Sequence, residues 1–191
     1  IGTAGSITLL LQSLLIPAIF SGKRTKFSIK GGTDVKWSMP IDYLNWILLP
    51  IARRYADIEL KLKKRGYYPK GGGLIEIIIK SRKNINDFDS FEDFLKNLRE
   101  NEKELELINP GKIVYIKGIS NSVKELEKSN VAERQVISAK QVLSKFNVPI
   151  DVRSEYGDSL SIGSVITLWA IFGNNEKIII GADSLGEKGK K

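Results

Sequence analysis

The feature that most restricts the fold is a pair of strand-like stretches joined by a long glycine-rich connection. Apolar and charged residues alternate in IELKLKK before the connection, and LIEIIIK follows it as a more continuous apolar run. Alternation with a period of two is typical of a β-strand, and a short apolar run is typical of a strand buried on both faces. A plain hairpin needs about two turn residues, whereas RGYYPKGGG, residues 65–73, supplies nine. The sequence therefore predicts two strands whose connection does more than reverse the chain.

The preceding stretches predict two helices and another strand. GSITLLLQSLLIPAIFSG predicts a helix that Gly5 or Ser6 caps, and the alternation in TKFSIK predicts a strand. Pro40 opens a second predicted helix, IDYLNWILLPIARRYA, because proline is favoured at the first helical position. Asp42 falls in its first turn, where the helix dipole favours a carboxylate. Residues 1–80 thus read helix, strand, helix, strand, strand, and one more strand in front would complete a βαβαββ unit.

The composition changes after Lys80, and the remaining residues predict a second, smaller α/β domain. A short charged helix capped by Ser90 is followed by the strand KIVYIKGIS. NVAERQVISAKQVLSKF predicts an amphipathic helix that Asn130 caps, with Glu133 closing a capping box. SVITLWAIF and KIIIGA predict two more strands joined by a GNN turn, and the chain ends in GEKGKK with no final helix to cover the sheet.

Composition excludes several kinds of chemistry. The 191 residues include no cysteine, which removes disulfides and thiol nucleophiles, and no histidine, the commonest acid–base and metal-binding side chain. No cluster has recognisable metal-ligand spacing. The most apolar stretch, residues 7–20, is shorter than the roughly 20 residues that cross a membrane. We therefore expect no membrane association, and the lack of cysteine fits a reducing, cytoplasmic compartment.

The net charge of +8 is confined to the first part of the chain. Residues 1–80 hold 13 Lys and Arg against 5 Asp and Glu, whereas residues 81–191 hold 17 of each kind. A solvated basic face would explain a charge excess by itself. An excess restricted to one segment is also the electrostatic footprint of a polyanionic partner, which here would be nucleic acid or nucleotide.

Three stretches could carry ligand chemistry, although each also has a purely structural interpretation. GTAGSITLLLQ places small residues before a helix, where backbone N–H groups bind anions, and the amide of Gln12 could bind a base or ribose. In GGTDVKWSMPID the ring of Pro40 could stack on a base, or simply start a helix. In RGYYPKGGG the tyrosines could stack on bases while Arg65 and Lys70 meet phosphates, or the segment could be a wide turn with a glycine bulge.

Taken together and in order, four segments resemble the RNA 3′-terminal phosphate cyclase family. They are GTAGSITLLLQSLLIPAIF, IKGGTDVKWSMPIDYLNWILLPIARRY, RGYYPKGGG, and SNVAERQ with the later GSVITLWAIF and GADSLGEKGKK. The resemblance implies an α+β fold in which a domain of repeated βαβαββ units carries an inserted smaller α/β domain. Residues 1–80 would be one repeat lacking its first strand, and residues 81–191 the insert lacking its last helix.

The resemblance also implies an activity. A histidine is adenylylated by ATP, AMP passes to an RNA 3′-phosphate end, and the neighbouring 2′-hydroxyl displaces AMP to give a 2′,3′-cyclic phosphate. A divalent metal, Mg or Mn, is the expected additional cofactor. Carried over motif by motif, the implied nucleotide-binding residues are Gln12, Pro40, Asp42 and Tyr43, and the candidates for RNA or phosphate contact are Arg65, Tyr67 and Lys70. We expect the 65–73 loop to border the active-site cleft, with Tyr67 or Tyr68 partly exposed.

The chain departs from the family in one respect that leaves alternatives open. The nucleophilic histidine of the family follows the insert, and this chain contains none. We expect a central fragment of a cyclase with no catalytic residue of its own. The alternative is the family's inactive branch, which binds RNA in ribosome assembly. An enolpyruvyl transferase shares the repeat architecture, but VAERQ and GADSLGEKGKK favour the cyclase insert.

The confined charge generates a testable prediction. Reversal of Lys61, Lys63 and Lys64 to glutamate in the complete protein should weaken RNA binding and flatten its salt dependence, by about one unit of slope per lost phosphate contact. The measurement is the dissociation constant across a salt series. An equal number of reversals between residues 81 and 191 serves as the control, and equal damage from that control would refute the charge argument.

Overall fold

The computed structural model describes residues 2–102, 108, 110–173 and 178–187 and has an α+β fold, as predicted. A π-helical turn, Leu44–Leu48, joins α2 to α3, so the helix predicted after Pro40 is one segment of three parts. The helices and strands are α1 (Ile7–Ile19), β1 (Arg24–Gly31), α2 (Ile41–Tyr43), α3 (Leu49–Ala52), β2 (Ala56–Lys64), β3 (Gly73–Ser81), α4 (Phe91–Asn101), β4 (Lys112–Val123), α5 (Val131–Leu143), β5 (Ile150–Gly157), β6 (Ser164–Gly173) and β7 (Ile178–Leu185). Three short 3₁₀ turns complete the described structure, at Ile85–Asp87, Lys124–Ser129 and Ser144–Phe146.

The first sheet follows the predicted order of elements. Its strands run β1-β3-β2, and β3 is antiparallel to both neighbours, which places β1 and β2 parallel on either side of it. Ile75, Ile77 and Ile79 are fully buried under α1 and the α2–α3 segment. The opposite face of β3 carries Glu76. Its carboxylate oxygens lie 3.9 Å from Nζ of Lys26 and 3.6 Å from Nζ of Lys63. The expectation of a strand buried on both faces was therefore wrong, because the second face is half-exposed and charged.

The second sheet has the order β5-β4-β6-β7, with β4 and β5 parallel and the other pairs antiparallel. Strand β5 was not predicted, although Ile150 and Val152 alternate with Asp151 and Arg153. Helix α5 links the two parallel strands and packs against β5, β4 and β6. The predicted GNN turn falls at residues 173–175, of which only Gly173 lies within the described residues.

The helix caps agree with the sequence in two cases and differ in one. Ser6 caps α1 by accepting from the N–H of Leu9, and Ser90 caps α4 by accepting from the N–H of Asp93. Asn130 precedes α5 as predicted, but it is left-handed (φ 50°) and its side chain caps nothing.

The capping box predicted for α5 is replaced by contacts from the sheet. The hydroxyl of Tyr156 on β5 accepts from the N–H of Ala132 and donates to the carboxylate of Glu133. The carboxylate of Glu133 that would have closed the box therefore has its partner on β5, and the backbone N–H of Asn130 donates to the carbonyl of Glu127 instead. The capping-box prediction was wrong.

The two sheets meet through apolar contacts. Trp46 of the π-helical turn stacks on Trp169 of β6 with ring centroids 5.5 Å apart and planes 5° from parallel. Ile47 packs beside this pair against Ile119 of β4. The first sheet ends at Ser81 and the second begins at Lys112, while the boundary between residues 1–80 and 81–191 stays a prediction. Among the described residues, no helix combines the length and apolar character that crossing a membrane requires.

Candidate functional site

The 65–73 loop is fixed at its start by a buried guanidinium. The side chain of Arg65 is only 7% exposed; its Nη1 lies 3.2 Å from Oδ2 of Asp34, and its Nη2 lies 2.6 Å from Oδ2 of Asp42. Glu155 of β5 approaches the same Nη2 at 3.8 Å. One side chain thus joins the loop after β1, the first turn of α2 and the second sheet. Through Arg65 the glycine loop begins beside the first turn of α2, and its place at the border of an active-site cleft stays a prediction.

The surroundings of this cluster alter the protonation of its members. Burial raises the pKa of Asp42 to about 6; the positive charge of Arg65 opposes this rise, and the nearby charge of Asp34 adds to it. Burial disfavours the charge on Arg65, but Asp34 and Asp42 outweigh it and raise its pKa above the usual value. The guanidinium stays charged at every physiological pH, whereas Asp42 titrates in a mildly acidic range.

Tyr67 is the other large side chain of the loop that is buried, at 3% exposed. Its hydroxyl donates to Oδ1 of Asn121 on β4 at 2.7 Å, and its ring packs between Val123 and Val165. Gly163 lies so close to the ring that a Cβ there would come within 2.3 Å of it. Tyr67 therefore joins the two sheets, and burial raises the pKa of its hydroxyl.

The glycines of three motifs pack against one another at this point. The N–H of Gly32 donates to the carbonyl of Gly5, and the N–H of Ile7 donates to the carbonyl of Gly32. Gly71 is left-handed (φ 62°), and a Cβ there would lie 2.1 Å from the carbonyl oxygen of Thr3. The GTAGS, IKGG and YPKGGG stretches can approach one another this closely because glycine has no side chain to fill the space between the backbones.

The exposed part of the loop is the tip. Tyr68 is 74% exposed, which meets the expectation that one of the two tyrosines faces solvent. Lys70 is also exposed; its backbone N–H donates to the hydroxyl of Ser161 at 2.9 Å, and no described carboxylate lies within ion-pair distance of its ammonium. The loop thus separates into a buried positioning half, Arg65 and Tyr67, and a solvent-facing half.

Gln12 lies on the exposed side of α1, one turn after Thr8. The hydroxyl of Thr8 donates to the carbonyl of Met39 at 2.7 Å, which fixes α1 to the residue before Pro40. The amide of Gln12 makes no hydrogen bond within the described parts of the chain. It stands at the edge of a mainly apolar cavity of about 680 Å³, lined by Gln12, Leu15, Ile16, Ile19, Phe20, Leu48, Ile51, Ala52, Tyr55, Leu98, Arg99 and Glu102.

The other three residues implied for the nucleotide are less accessible than Gln12. Pro40 is buried and immediately precedes α2, and Asp42 is 6% exposed against Arg65. Tyr43 is half-buried and packs toward Gly181 of β7. None of these three lines the cavity beside Gln12. Their roles in nucleotide binding stay predictions.

Sequence reasoning missed three residues of this site. Asp34 lies in GGTDVKWSMPID but was not singled out, yet it pairs with Arg65 and its Oδ1 also accepts from the N–H of Ile41. Asn121 and Glu155 lie on strands of the second sheet, and no local pattern indicates that they face the loop. The only available signal was the scarcity of acids among residues 1–80, which makes each of those five carboxylates unusual in a basic segment.

The described residues do not fit a divalent metal centre. Within residues 2–102, 108, 110–173 and 178–187, no group of three His, Cys, Asp or Glu side chains could hold a metal ion. Asp34, Asp42 and Glu155 approach one another around the guanidinium of Arg65, which is their shared cationic partner. The Mg or Mn ion expected from the sequence resemblance therefore has no assigned ligand among the residues that the structure describes.

Comparison with known proteins finds a family model and several relatives that match most or all of this chain. A family profile described as RNA 3'-terminal phosphate cyclase matches residues 1–180. A protein named RNA 3'-terminal phosphate cyclase from Saccharolobus islandicus is 44% identical over 193 aligned residues, covering 100% of this chain and 50% of the relative. Proteins of the same name from Pyrococcus abyssi and Ignicoccus hospitalis are 39% and 38% identical, covering all of this chain and 49% and 50% of those relatives.

The chain therefore belongs to the RNA 3'-terminal phosphate cyclase family, as the four motifs indicated. It spans about half the length of the curated relatives that it matches.

The bond between Tyr67 and Asn121 generates a first prediction for the site. Tyr67→Phe keeps the packed ring but leaves Oδ1 of Asn121 buried without its donor, so the free energy of unfolding should fall by about 1–3 kcal/mol. Chemical denaturation measures this. Tyr68→Phe removes an exposed hydroxyl and is the matched control, which should change stability by less than about 0.5 kcal/mol. Equal effects would show that the hydrogen bond does not hold the sheets together.

A second prediction concerns Asp42, whose pKa of about 6 exceeds its unfolded value of 3.8. Between these two values the folded state holds a proton that the unfolded state has lost, so Asp42 makes stability fall as pH rises from about 4 to 6. In Asp42→Asn this fall in stability should disappear. The NMR spectrum should also lose the side-chain carboxyl carbon resonance that titrates near pH 6. Unchanged pH dependence in Asp42→Asn would contradict the assignment.

Proposed function

We propose that the complete protein is an ATP-dependent RNA 3′-phosphate cyclase, a ligase-type enzyme acting on RNA 3′-phosphate ends in the cytoplasm. Family membership supports this. The observation that carries the proposal for this chain is the convergence of three glycine-bearing stretches around Arg65. This convergence builds a rigid loop cluster at the start of the helix that carries Gln12.

The reaction consists of three substitutions at phosphorus, without oxidation or reduction. A histidine nitrogen attacks the α-phosphorus of ATP, pyrophosphate leaves, and the ring loses its proton. An oxygen of the RNA 3′-phosphate then attacks the enzyme-bound AMP and releases the histidine. Finally the 2′-oxygen, losing its proton, attacks the 3′-phosphorus and expels AMP, which closes the 2′,3′-cyclic phosphate. This chain holds no histidine, so we place the nucleophile outside it.

The residues of this chain bind and orient the substrates in this proposal. Gln12 contacts the nucleotide directly, since its amide is exposed and has no partner in the described residues. Pro40, Asp42 and Tyr43 position that end of the site from buried or half-buried places. Arg65 and Tyr67 hold the loop that faces the RNA, and Lys70 meets a phosphate. No step is assigned to a metal ion, because the described residues offer no ligand group for one.

The second candidate is a catalytically inactive, cyclase-like RNA-binding protein that acts in ribosome assembly. The observation that favours it is the absence of histidine from this chain together with a net charge of +8. Such a protein would share the family fold and the affinity for RNA but would form no adduct with AMP.

Adenylylation separates the two candidates. The complete protein is incubated with ATP labelled at the α-phosphate and separated on a denaturing gel; a cyclase gives an acid-labile protein–AMP band. With RNA bearing a 3′-phosphate, the product end becomes resistant to phosphatase. Residues 1–191 alone should give no band. An acid-stable band that is lost on a Lys→Arg substitution in residues 1–191 would refute the histidine mechanism, and RNA binding without any adduct would favour the inactive branch.

The role of Gln12 generates a further prediction. Gln12→Ala in the complete protein should weaken ATP binding by about 1–2 kcal/mol, as expected for one lost hydrogen bond at a polar site. The Tm without ATP should hardly change, because the side chain is exposed. Calorimetric titration and a thermal melt measure the two effects. A large loss of stability with unchanged ATP affinity would show that Gln12 serves the fold.

A further inference from the structure

Trp37 is the most exposed large apolar side chain of the described residues. Its indole is 94% exposed, and its backbone is left-handed with φ 68°. Bulky residues rarely adopt this conformation, and backbone outliers of this kind concentrate at functional sites. Trp37 packs in no core cluster of the described structure. Neither burial nor turn chemistry therefore explains why tryptophan stands here.

The turn that presents Trp37 is held on both sides. The hydroxyl of Ser38 donates to the carbonyl of Val35 at 3.1 Å, and Val35 is buried. The carbonyl of Met39 accepts a hydrogen bond from the hydroxyl of Thr8 at 2.7 Å, and Asp34 forms an ion pair with Arg65. The indole is thus presented from a rigid turn, which lowers the entropy lost when a flat ligand stacks on it.

A second exposed ring stands on the adjoining loop. Asp34 and Tyr67 pair in a short parallel bridge, so the turn that presents Trp37 and the loop that presents Tyr68 are attached to each other. Lys36 and Lys70 lie beside the two rings in sequence, and both are exposed. Lys36 makes a surface ion pair with Glu187 at 3.5 Å, while Lys70 has no described partner of that kind.

Two exposed aromatic rings interleaved with lysines form the pattern by which proteins bind single-stranded nucleic acid. Every base has a flat face that can stack on such a ring, while the lysines follow the phosphates. Bases of a duplex are already stacked and do not offer their faces. A protein partner would explain the rings, but not the position of this pair in the segment that holds the whole charge excess.

We propose that Trp37 and Tyr68 stack on unpaired bases adjoining the 3′ end of the RNA, with Lys36 and Lys70 on the neighbouring phosphates. This inference rests on the proposed function, since it assigns the substrate class of the same site. The substrate is then an RNA whose 3′ end is single-stranded for at least two nucleotides, and a blunt duplex end binds poorly.

The test measures the affinity of the complete protein for a fluorescent single-stranded RNA of about ten nucleotides with a 3′-phosphate. Trp37→Ala and Tyr68→Ala should each raise the dissociation constant about 5- to 150-fold, the equivalent of ~1–3 kcal/mol for one stacked base. Trp37→Phe and Tyr68→Phe should restore most of the affinity. Lys70→Ala should instead lower the salt slope by about one unit.

The matched control is Phe146→Ala. Phe146 is also an exposed aromatic ring with a lysine beside it, the Nζ of Lys145 lying 5.3 Å from the ring centroid, but it follows α5, the helix that packs on the second sheet. Its substitution should leave RNA affinity unchanged. The weak binding expected for a blunt duplex with the same 3′-phosphate should be insensitive to the Trp37 and Tyr68 substitutions.

The possible outcomes distinguish this inference from the proposed function. If the wild-type protein binds and cyclises RNA while both alanine variants keep its affinity, stacking is refuted and the cyclase proposal stands. If Trp37→Ala lowers the Tm without changing RNA affinity, the ring stabilises the folded protein by packing and does not bind RNA. The inference then fails as well. If the wild-type protein does not bind single-stranded RNA, both proposals fail together.

Discussion

The ion pairs of one buried guanidinium organise the site of this protein. Arg65 is 7% exposed and is held by Asp34 and Asp42, which come from two other segments. A buried charge is tolerated only when its partners are in place, and removing one partner of such a pair typically costs about 3–5 kcal/mol. The relative position of the glycine loop, the turn after β1 and the start of α2 is therefore fixed by charge. Tyr67 reaches Asn121 on the second sheet because this arrangement places it there.

This constraint divides the site between buried positioning residues and solvent-facing residues. Arg65 and Tyr67 are buried, and the closely packed glycines set the path of the backbone. The polar groups of Arg65 and Tyr67 therefore bond to other parts of the protein. Gln12, Trp37, Tyr68 and Lys70 face solvent on the elements that those residues fix. A rigid base with exposed amide, aromatic and ammonium groups suits a ligand that is flat and negatively charged, which describes both a nucleotide and the end of an RNA strand.

Elements with a strong local period were the part of the fold that sequence predicted well. Strands β1, β2 and β3 and the caps at Ser6 and Ser90 were found, because alternation and capping depend on neighbouring residues. Strand β5 was missed, although its alternation was present in the sequence. The capping box at Asn130 was wrong because Tyr156, 24 residues away from Ala132, supplied the hydrogen bonds instead.

The sequence by itself determined the α+β class and the family, since these depend on short motifs and on composition. It could not determine which members of RGYYPKGGG face inward. Only the tertiary structure decided that Arg65 and Tyr67 are buried while Tyr68 is exposed. The partner of Arg65, Asp34, lies 31 residues away, and the partner of Tyr67, Asn121, lies 54 residues away. Ion pairs and hydrogen bonds across such distances leave no periodic trace in a single sequence, and they decide here whether a side chain positions the loop or faces solvent.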